Sequence, residues 1–248
     1  MRRVRFLNCE FDPLTVTQTI DAVFALIEEG RRGWLSTVNV AVLMMMRADA
    51  QLQEFVDRAA LVVADGQPLV WCSPWFGKAL PERVTGVDLV DCICAEAARR
   101  KRRVYLLGAS GEVVARTAGR LRECWPGLEI EYSDGYFTDR DAPARADLVR
   151  SCNADILFVA MGVPRQEKFI REQWNRLGVR LAIGVGGSFD VISGLRPRAP
   201  HWMQKIGMEW LFRLILEPRR LLKRYLVTNI QFIALVFLLL IRRGFGRS

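Results

Sequence analysis

The 248-residue sequence lacks the features that mark several common protein classes. Its six cysteines form no Cys-x-x-Cys pair, and its single histidine, His201, has no histidine or cysteine partner at ligand spacing. We therefore expect reduced thiols, no disulfide framework and no zinc site. The N-terminus has two early arginines but no apolar segment of about 7–15 residues and no small-residue cleavage site. We expect no signal peptide and a cytoplasmic location for the body of the protein.

An excess of charge of one sign is also missing from most of the chain. Residues 1–195 carry 25 basic and 25 acidic side chains, so the net charge of +9 arises within residues 196–248. That segment combines 11 basic residues with an apolar run at 226–241. Such a combination is typical of association with a membrane surface, whereas nucleic-acid-binding proteins interleave Lys and Arg with aromatic and polar residues. We expect a membrane-surface partner and no nucleic acid.

The C-terminal apolar run is at the lower limit for crossing a bilayer. As a helix, residues 225–241 would extend about 25 Å, against roughly 30 Å of hydrocarbon. Thr228, Asn229 and Gln231 weaken the first third of the run. We predict an anchor that lies in or on the membrane in preference to a full span.

Short apolar runs alternate with helical patterns through residues 1–195. This alternation predicts an α/β fold, a Rossmann-like parallel sheet with helices on both faces. Thr15 begins a capping-box pattern that predicts a helix to about Glu29, ended by Gly30. We expect residues 1–195 to form the α/β domain and residues 196–248 a basic, amphipathic helical appendage. The predicted strands are Val4–Asn8, Gly33–Val38, Ala60–Ala64, Arg103–Leu107, Leu128–Tyr132, Ile156–Met161 and Arg180–Val185.

Polar or glycine-rich residues follow six of these strands. Ligands of open α/β sheets bind beyond the carboxyl ends of the strands, and glycine-rich turns that open helices offer backbone N–H groups to anions. Any one of these segments is equally well explained as a simple turn, but six on one rim predict a nucleotide or nucleotide-sugar site. The segments are Thr37 with Asn39, Asp65-Gly66, Gly108–Gly111, Asp134–Phe137, Gly162–Glu167 and Gly184–Asp190.

Two charged residues near this rim are candidates for chemistry. Asp65 ends an apolar run, where desolvation would move its proton affinity toward working pH and suit it to be a general base. A helix N-cap for the segment that begins at Gln67 is an equal alternative. Arg83 lies in a loop that could deliver a guanidinium to a phosphate, and its alternative is a surface ion pair with Glu82.

Two other patterns point to weaker alternatives. Asp139-Arg-Asp141 matches the Asp-x-Asp pattern of metal-dependent glycosyltransferases, but it reads as a loop before a helix, not as the end of a strand. We therefore expect no metal. A Gly-x-Gly-x-x-Gly turn after the first strand is missing, which makes a nicotinamide-dependent oxidoreductase the weaker alternative and predicts no cofactor.

The ordered strings of this sequence resemble the WecG/TagA/CpsF family of bacterial glycosyltransferases, also called glycosyltransferase family 26. The resemblance covers about residues 30–226. Arg165 stands where lysine is common in the family. The strings are Thr37-Val-Asn39, Ala64-Asp-Gly66, Glu82–Gly86, Leu107-Gly108, Asp134–Phe137, Met161–Glu167, Gly186–Asp190, Arg198-Ala-Pro200, Glu209–Arg213, Glu217-Pro-Arg219 and Arg224-Tyr225.

The resemblance implies a metal-independent, inverting transfer that forms a β-linkage. The donor would be a UDP-sugar, of the N-acetylmannosamine type or glucose, and the acceptor an undecaprenyl-diphosphate-linked sugar in cell-surface or exopolysaccharide assembly. Asp65 would be the base and Arg83 would steady the leaving diphosphate. The substrate-binding residues would be Thr37, Asn39 and Gln166 for the sugar, with Gly108, Tyr136, Gly162, Gly186, Gly187 and Asp190 around the nucleotide.

The appendage acquires a role from the same resemblance. Arg213, Arg220 and Arg224 recur near one helix face, where they would meet a lipid diphosphate. An ordinary amphipathic helix docked on the core is the alternative. A non-catalytic, membrane-recruited polysaccharide scaffold is the rival function, and homo-oligomerisation is left open.

Overall fold

A computed structural model describes residues 3–77 and 79–245, with the side chains at 220, 221, 223, 224 and 242–245 outside the description. The strands are β1 (Val4–Phe6), β2 (Cys9–Phe11), β3 (Gly33–Val38), β4 (Leu61–Ala64), β5 (Val104–Gly108), β6 (Ile130–Ser133), β7 (Ile156–Ala160) and β8 (Leu181–Gly184). The helices are α1 (Val16–Glu28), α2 (Val40–Met46), α3 (Ala50–Asp57), α4 (Gln67–Cys72), α5 (Gly86–Arg99), α6 (Gly111–Cys124), α7 (Ala142–Ser151), α8 (Arg165–Leu177), α9 (Ser188–Ile192), α10 (His201–Lys205), α11 (Glu209–Leu216) and α12 (Pro218–Phe245). A short 3₁₀ helix (Ser73–Phe76) follows α4.

Six strands form one parallel sheet in the order β4-β3-β8-β7-β5-β6, which confirms the predicted fold class. Strands β5, β7 and β8 are buried at every position. Because both faces of these strands are covered, their sequences are continuously apolar and do not alternate. Helices α1, α5, α6 and α9 pack on one face, and α2, α3, α7, α8 and α12 on the other.

Helix boundaries follow local chemistry that the sequence already carries. The Thr15 hydroxyl accepts from the Gln18 amide, and the Gln18 side chain accepts from the Thr15 amide, so the predicted capping box of α1 is confirmed. Gly30, with a φ of +70°, directly follows the end of this helix.

The first predicted strand lies outside the parallel sheet. Val4–Phe6 pairs antiparallel with Cys9–Phe11, a strand that the sequence analysis missed, through a turn with Leu7 at a φ of +55°. Two three-residue strands are too short to show as an apolar run. Phe6 and Phe11 are nearly inaccessible to solvent, so this hairpin is part of the core on the α2 side.

Helix α12 packs lengthwise against α2. Its residues Thr228, Phe232 and Val236 are buried, and the ring of Phe232 lies 6.4 Å from that of Phe6 in the hairpin. The opposite side of the helix is apolar and exposed, with Ile230, Ile233, Phe237 and Leu238 each more than half exposed. Across the part of the chain that the structure describes, no helix combines the length and hydropathy needed to cross a bilayer.

Candidate active site

The carboxyl ends of β3 and β8 mark a point where the direction in which the chain progresses across the sheet reverses. These strands are neighbours, yet α2 and α9, which follow them, leave toward opposite faces of the sheet. Ligands of doubly wound sheets bind at such a reversal. The Thr37 hydroxyl donates to the Gly184 carbonyl at 3.2 Å, so the predicted segments at 37–39 and 184–190 meet here.

Asp65 lies at the next strand end along this edge. Its amide donates to the Val38 carbonyl at 2.9 Å, and Gly66 packs so closely that an added Cβ would lie 3.4 Å from the Cα of Asn39. The Asn39 side chain itself caps α2 by accepting from the Val42 amide at 3.1 Å. The structure therefore places Thr37, Asn39 and Asp65 side by side.

The protonation of Asp65 is set by its surroundings. Burial raises the pKa of its carboxyl from an ordinary 3.8 to about 7; Arg213 and Arg83 oppose this rise, and Glu209 and Asp88 add to it. The alternative role as a helix N-cap is wrong, because Gly66 holds the cap position of α4 and no side chain caps that helix. A carboxyl with a pKa near working pH suits proton abstraction.

Arg83 does not pair with Glu82, so that alternative is also wrong. The Glu82 carboxylate accepts from the Val16 amide. The Arg83 guanidinium instead donates to Glu209, with Nη2 at 2.8 Å from Oε2, across 126 residues of chain. Both side chains are largely buried, which strengthens their attraction.

Glu209 lies at the centre of an arginine cluster. Arg213 Nη2 is 3.6 Å and Arg198 Nε 3.8 Å from its Oε1. Arg198 also binds Asp88, with Nη1 at 2.7 Å from Oδ1. Glu209, Arg198 and Asp88 were not among the predicted site residues. Arg198 and Glu209 belong to the strings that carry the family resemblance, which was the available signal.

Where β5, β6 and β7 end, the same edge of the sheet is built from glycine-containing turns. Gly108 has a φ of +144°, and an added Cβ would lie 2.4 Å from the Ala160 carbonyl oxygen. An added Cβ at Gly135 would lie 2.8 Å from the Gly108 Cα, and Gly162 has a φ of +77°. Only glycine fits the close approach at Gly108 and Gly135, and at Gly162 the positive φ favours glycine. Tyr136, beside these turns, exposes 76% of its surface.

The buried side chain of Gln166 connects the predicted segments at 162–167 and 184–190. It is 3% exposed, its Oε1 accepts from the Gly186 amide at 3.0 Å, and its Nε2 donates to Glu167 Oε1 at 2.8 Å. Burial raises the pKa of the Glu167 carboxyl to about 7. Gln166 thus holds the Gly186 turn, whereas its predicted place in the sugar pocket stays a prediction.

The remaining predicted residues have varied surroundings. Gly187 is the cap residue of α9, and Asp190 lies 3.7 Å from the Arg196 guanidinium. Arg213 points into the cluster around Glu209, as described above. The side chains of Arg220 and Arg224 lie outside the described residues.

Asp139 and Asp141 lie in a loop before α7, as predicted. Asp139 pairs with Lys168 at 2.5 Å, and Asp141 accepts from the Thr138 hydroxyl at 2.6 Å. In the described ranges, 3–77 and 79–245, no group of three or more His, Cys, Asp or Glu residues is arranged to hold a metal ion.

A carboxyl group with a raised pKa and a cluster of arginines lie at the reversal point of a doubly wound sheet, an arrangement that suits an α/β enzyme able to abstract a proton and bind an anion. The chain belongs to the WecG/TagA/CpsF family of glycosyltransferases, since the family model described as "Glycosyl transferase WecG/TagA/CpsF family" matches residues 4–245. It is therefore a glycosyltransferase, and the resemblance noted in the sequence is confirmed.

Two curated relatives are each described as an N-acetylglucosaminyldiphosphoundecaprenol N-acetyl-beta-D-mannosaminyltransferase. The relative from Bacillus spizizenii is 33% identical over 195 residues, which cover 78% of this chain and 75% of the relative. The relative from Bacillus subtilis is 35% identical over 187 residues, which cover 75% of this chain and 72% of the relative.

Proposed function

We propose that the protein is an inverting, β-linkage-forming transferase that moves N-acetylmannosamine from a UDP-linked donor to an undecaprenyl-diphosphate-linked N-acetylglucosamine, in cell-surface or exopolysaccharide assembly. The observation that carries the chemistry is the position of Asp65, half-buried at the end of β4 and held by the Val38 carbonyl, within electrostatic range of Arg83 and Arg213. The names of the two relatives support the sugar and the lipid-linked acceptor.

In the proposed reaction Asp65 removes the proton from the acceptor hydroxyl. The oxygen attacks the anomeric carbon from the face opposite the nucleotide, a new C–O bond forms, and the bond to the UDP oxygen breaks with inversion. Arg83 and Arg213 lie within electrostatic range of Asp65, since each lowers its pKa. They would stabilise the negative charge that develops on the departing diphosphate without a required metal.

The glycine-rich turns of the β5–β7 part would receive the donor nucleotide. Gly108 brings the backbone of β5 close to that of Ala160, Gly162 has a positive φ, and the Gly186 turn is fixed by Gln166. Exposed backbone N–H groups bind phosphate oxygens without the bulk of a side chain. Tyr136 is exposed beside these turns, and we expect its ring to pack against a base or sugar.

Helix α12 would hold the enzyme at the cytoplasmic face of the membrane. Its buried side docks on α2, so its exposed side is left for lipid, with Ile233 and Phe237 among the exposed residues. An apolar helix face in a basic segment favours the interface plane. We propose a peripheral enzyme that meets its lipid-linked acceptor from the cytoplasm.

The test is a transfer assay with purified protein in detergent, a panel of UDP-sugars, a short polyprenyl-diphosphate-N-acetylglucosamine acceptor, and EDTA in half of the samples. We expect transfer from UDP-N-acetylmannosamine that survives EDTA. Transfer from another donor would correct the sugar, and loss in EDTA alone would revive Asp139 and Asp141 as metal ligands. No transfer by folded protein would favour the scaffold role.

A further inference from the structure

The arginine cluster contains a carboxylate that the proposed reaction does not use. Glu209 is 5% exposed, and its oxygens lie within 4 Å of three guanidinium groups, those of Arg83, Arg198 and Arg213. Taking a carboxylate out of water is costly unless charged partners satisfy it. Because burying the Glu209 carboxylate near the candidate base is costly, we infer that this charge has a function.

The three arginines come from separate parts of the chain. Arg83 lies in the loop before α5, Arg198 in the segment before α10, and Arg213 on α11. Guanidinium groups repel one another, so they stay together only around an anion. Glu209 supplies that anion, and it joins the C-terminal segment to the edge of the sheet.

The arginines of the cluster have N–H donors that their contacts with Glu209 do not use. Each guanidinium has five N–H donors, and the hydrogen bond from Arg83 to Glu209 uses one Nη2 group. The Arg198 Nε is buried and has no hydrogen-bond partner within the described residues, since Glu209 Oε1 is 3.8 Å away. A buried donor without a partner among arginines leaves room for a further acceptor, and the surrounding positive charge favours an anion.

We propose that Glu209 is a positioning residue whose carboxylate holds Arg83 and Arg213 beside Asp65 with free N–H groups toward the donor diphosphate. The inference rests on the proposed function, because it assumes a diphosphate leaving group. It differs from a placeholder role, in which Glu209 would occupy the diphosphate position and compete with the donor.

Charge and shape are separable at this position. Glu209→Gln keeps the shape and removes the charge, whereas Glu209→Asp keeps the charge and shortens the reach. Asp65 faces Arg83, Arg213 and Arg198, and the carboxylates Glu209 and Asp88. Arg213 and Arg83 lower the pKa of Asp65 more than Glu209 raises it. If Glu209→Gln releases the two arginines, that pKa rises and the acid limb of the kcat/KM profile moves to higher pH, by about half a unit for charges at this range. If the arginines stay in place without the Glu209 charge, the acid limb moves to lower pH.

The experiment measures UDP binding by calorimetry, and kcat and KM for the UDP-sugar across roughly pH 5–9, for the wild type and both variants. Glu129→Gln is the matched control, since Glu129 pairs with Arg103 on the surface at 2.7 Å. We expect Glu209→Gln to weaken UDP binding roughly 10-fold or more and to move the acid limb up. We expect Glu209→Asp to change both quantities in the same direction by less, and a downward move in Glu209→Gln would overturn the positioning role.

Tighter UDP binding by Glu209→Gln would overturn the proposal in favour of the placeholder role. Unchanged binding together with an unchanged pH profile would also overturn it. If Glu209→Gln does not fold, Glu209→Asp decides: wild-type UDP affinity in that variant contradicts a positioning role. Failure of the wild type to transfer from any UDP-sugar would be a failure of the proposed function, and it is scored in the same assay.

Discussion

The two parts of the sheet's carboxyl edge are built from different chemistry. Where β3, β4 and β8 end, the edge carries Asp65 and, facing it, the arginines around Glu209. Where β5, β6 and β7 end, it carries glycines at 108, 135 and 162. Both parts belong to one parallel sheet, so the fold itself does not impose the difference.

The charged part of the edge suits proton transfer and the departure of an anion, and the glycine part suits binding through the backbone. Proton transfer and departure of an anion need groups whose charge is tuned by burial, which only side chains provide. Binding a diphosphate needs close approach and N–H groups, which backbone provides best when no Cβ is in the way. We therefore expect substitution of Asp65 to lower turnover, substitutions in the arginine cluster to lower donor affinity, and those on the glycine part to lower stability and donor affinity.

The largest effect is expected for Asp65→Asn. The amide cannot accept the acceptor's proton, so kcat should fall roughly 10²–10⁴-fold, while UDP binding stays close to wild type. Turnover under saturating substrates and calorimetric titration of UDP measure the two quantities.

Asp139→Asn is the matched control for that variant. Asp139 is an exposed carboxylate paired with Lys168 in the loop before α7, away from Asp65. Its replacement should leave kcat within about twofold of wild type. Full activity of Asp65→Asn would remove Asp65 from the reaction and leave the charged part without a base.

Gly108→Ala should act on the other part through backbone and packing. Its Cβ would lie 2.4 Å from the Ala160 oxygen at a φ of +144°, so we expect a loss of about 2–4 kcal/mol in the free energy of unfolding and weaker UDP binding. Urea denaturation measures the stability. Gly111→Ala, at the start of α6 with open space around its added Cβ, should stay within about 1 kcal/mol of wild type. Equal losses in both variants would contradict the close-approach argument.

The strands of the sheet could be predicted because burial on both faces produces continuous apolar runs in the sequence. All seven predicted strands are present, with ends within two residues of the observed ones. Strand β2 was missed, because a three-residue strand in a hairpin produces no run. Asp65 could be found for the same reason as the sheet: it directly follows a buried strand.

The arginine cluster could not be derived in that way. Glu209 meets Arg83 across 126 residues, and nothing in its own helix indicates that it turns inward. The contact depends on how α11 docks at the sheet edge, which is a tertiary event that local patterns do not encode. Arg83 was found as a candidate, but its alternative partner, the sequence neighbour Glu82, was wrong.

The smallest effect concerns stability against pH, and it tests whether burial sets the properties of Asp65. Its native pKa of about 7 lies above the ordinary 3.8, so the native state binds the proton more tightly than the unfolded chain does. The stability from this group is complete below about pH 4 and is lost as the pH rises through about 7.

The amide that replaces the carboxyl in Asp65→Asn does not titrate, and Glu167, which burial shifts in the same direction, is present in both proteins. From about pH 5 to about pH 8 the wild type should therefore lose about 1–3 kcal/mol more than Asp65→Asn, as measured by urea denaturation. The Asp139→Asn control should show no such gap, because Lys168 holds the pKa of Asp139 below its ordinary value and the group stays charged throughout this range. Parallel curves for wild type and Asp65→Asn would mean that Asp65 is solvated, and the contrast between the two parts of the edge would then lie in side-chain identity and not in burial.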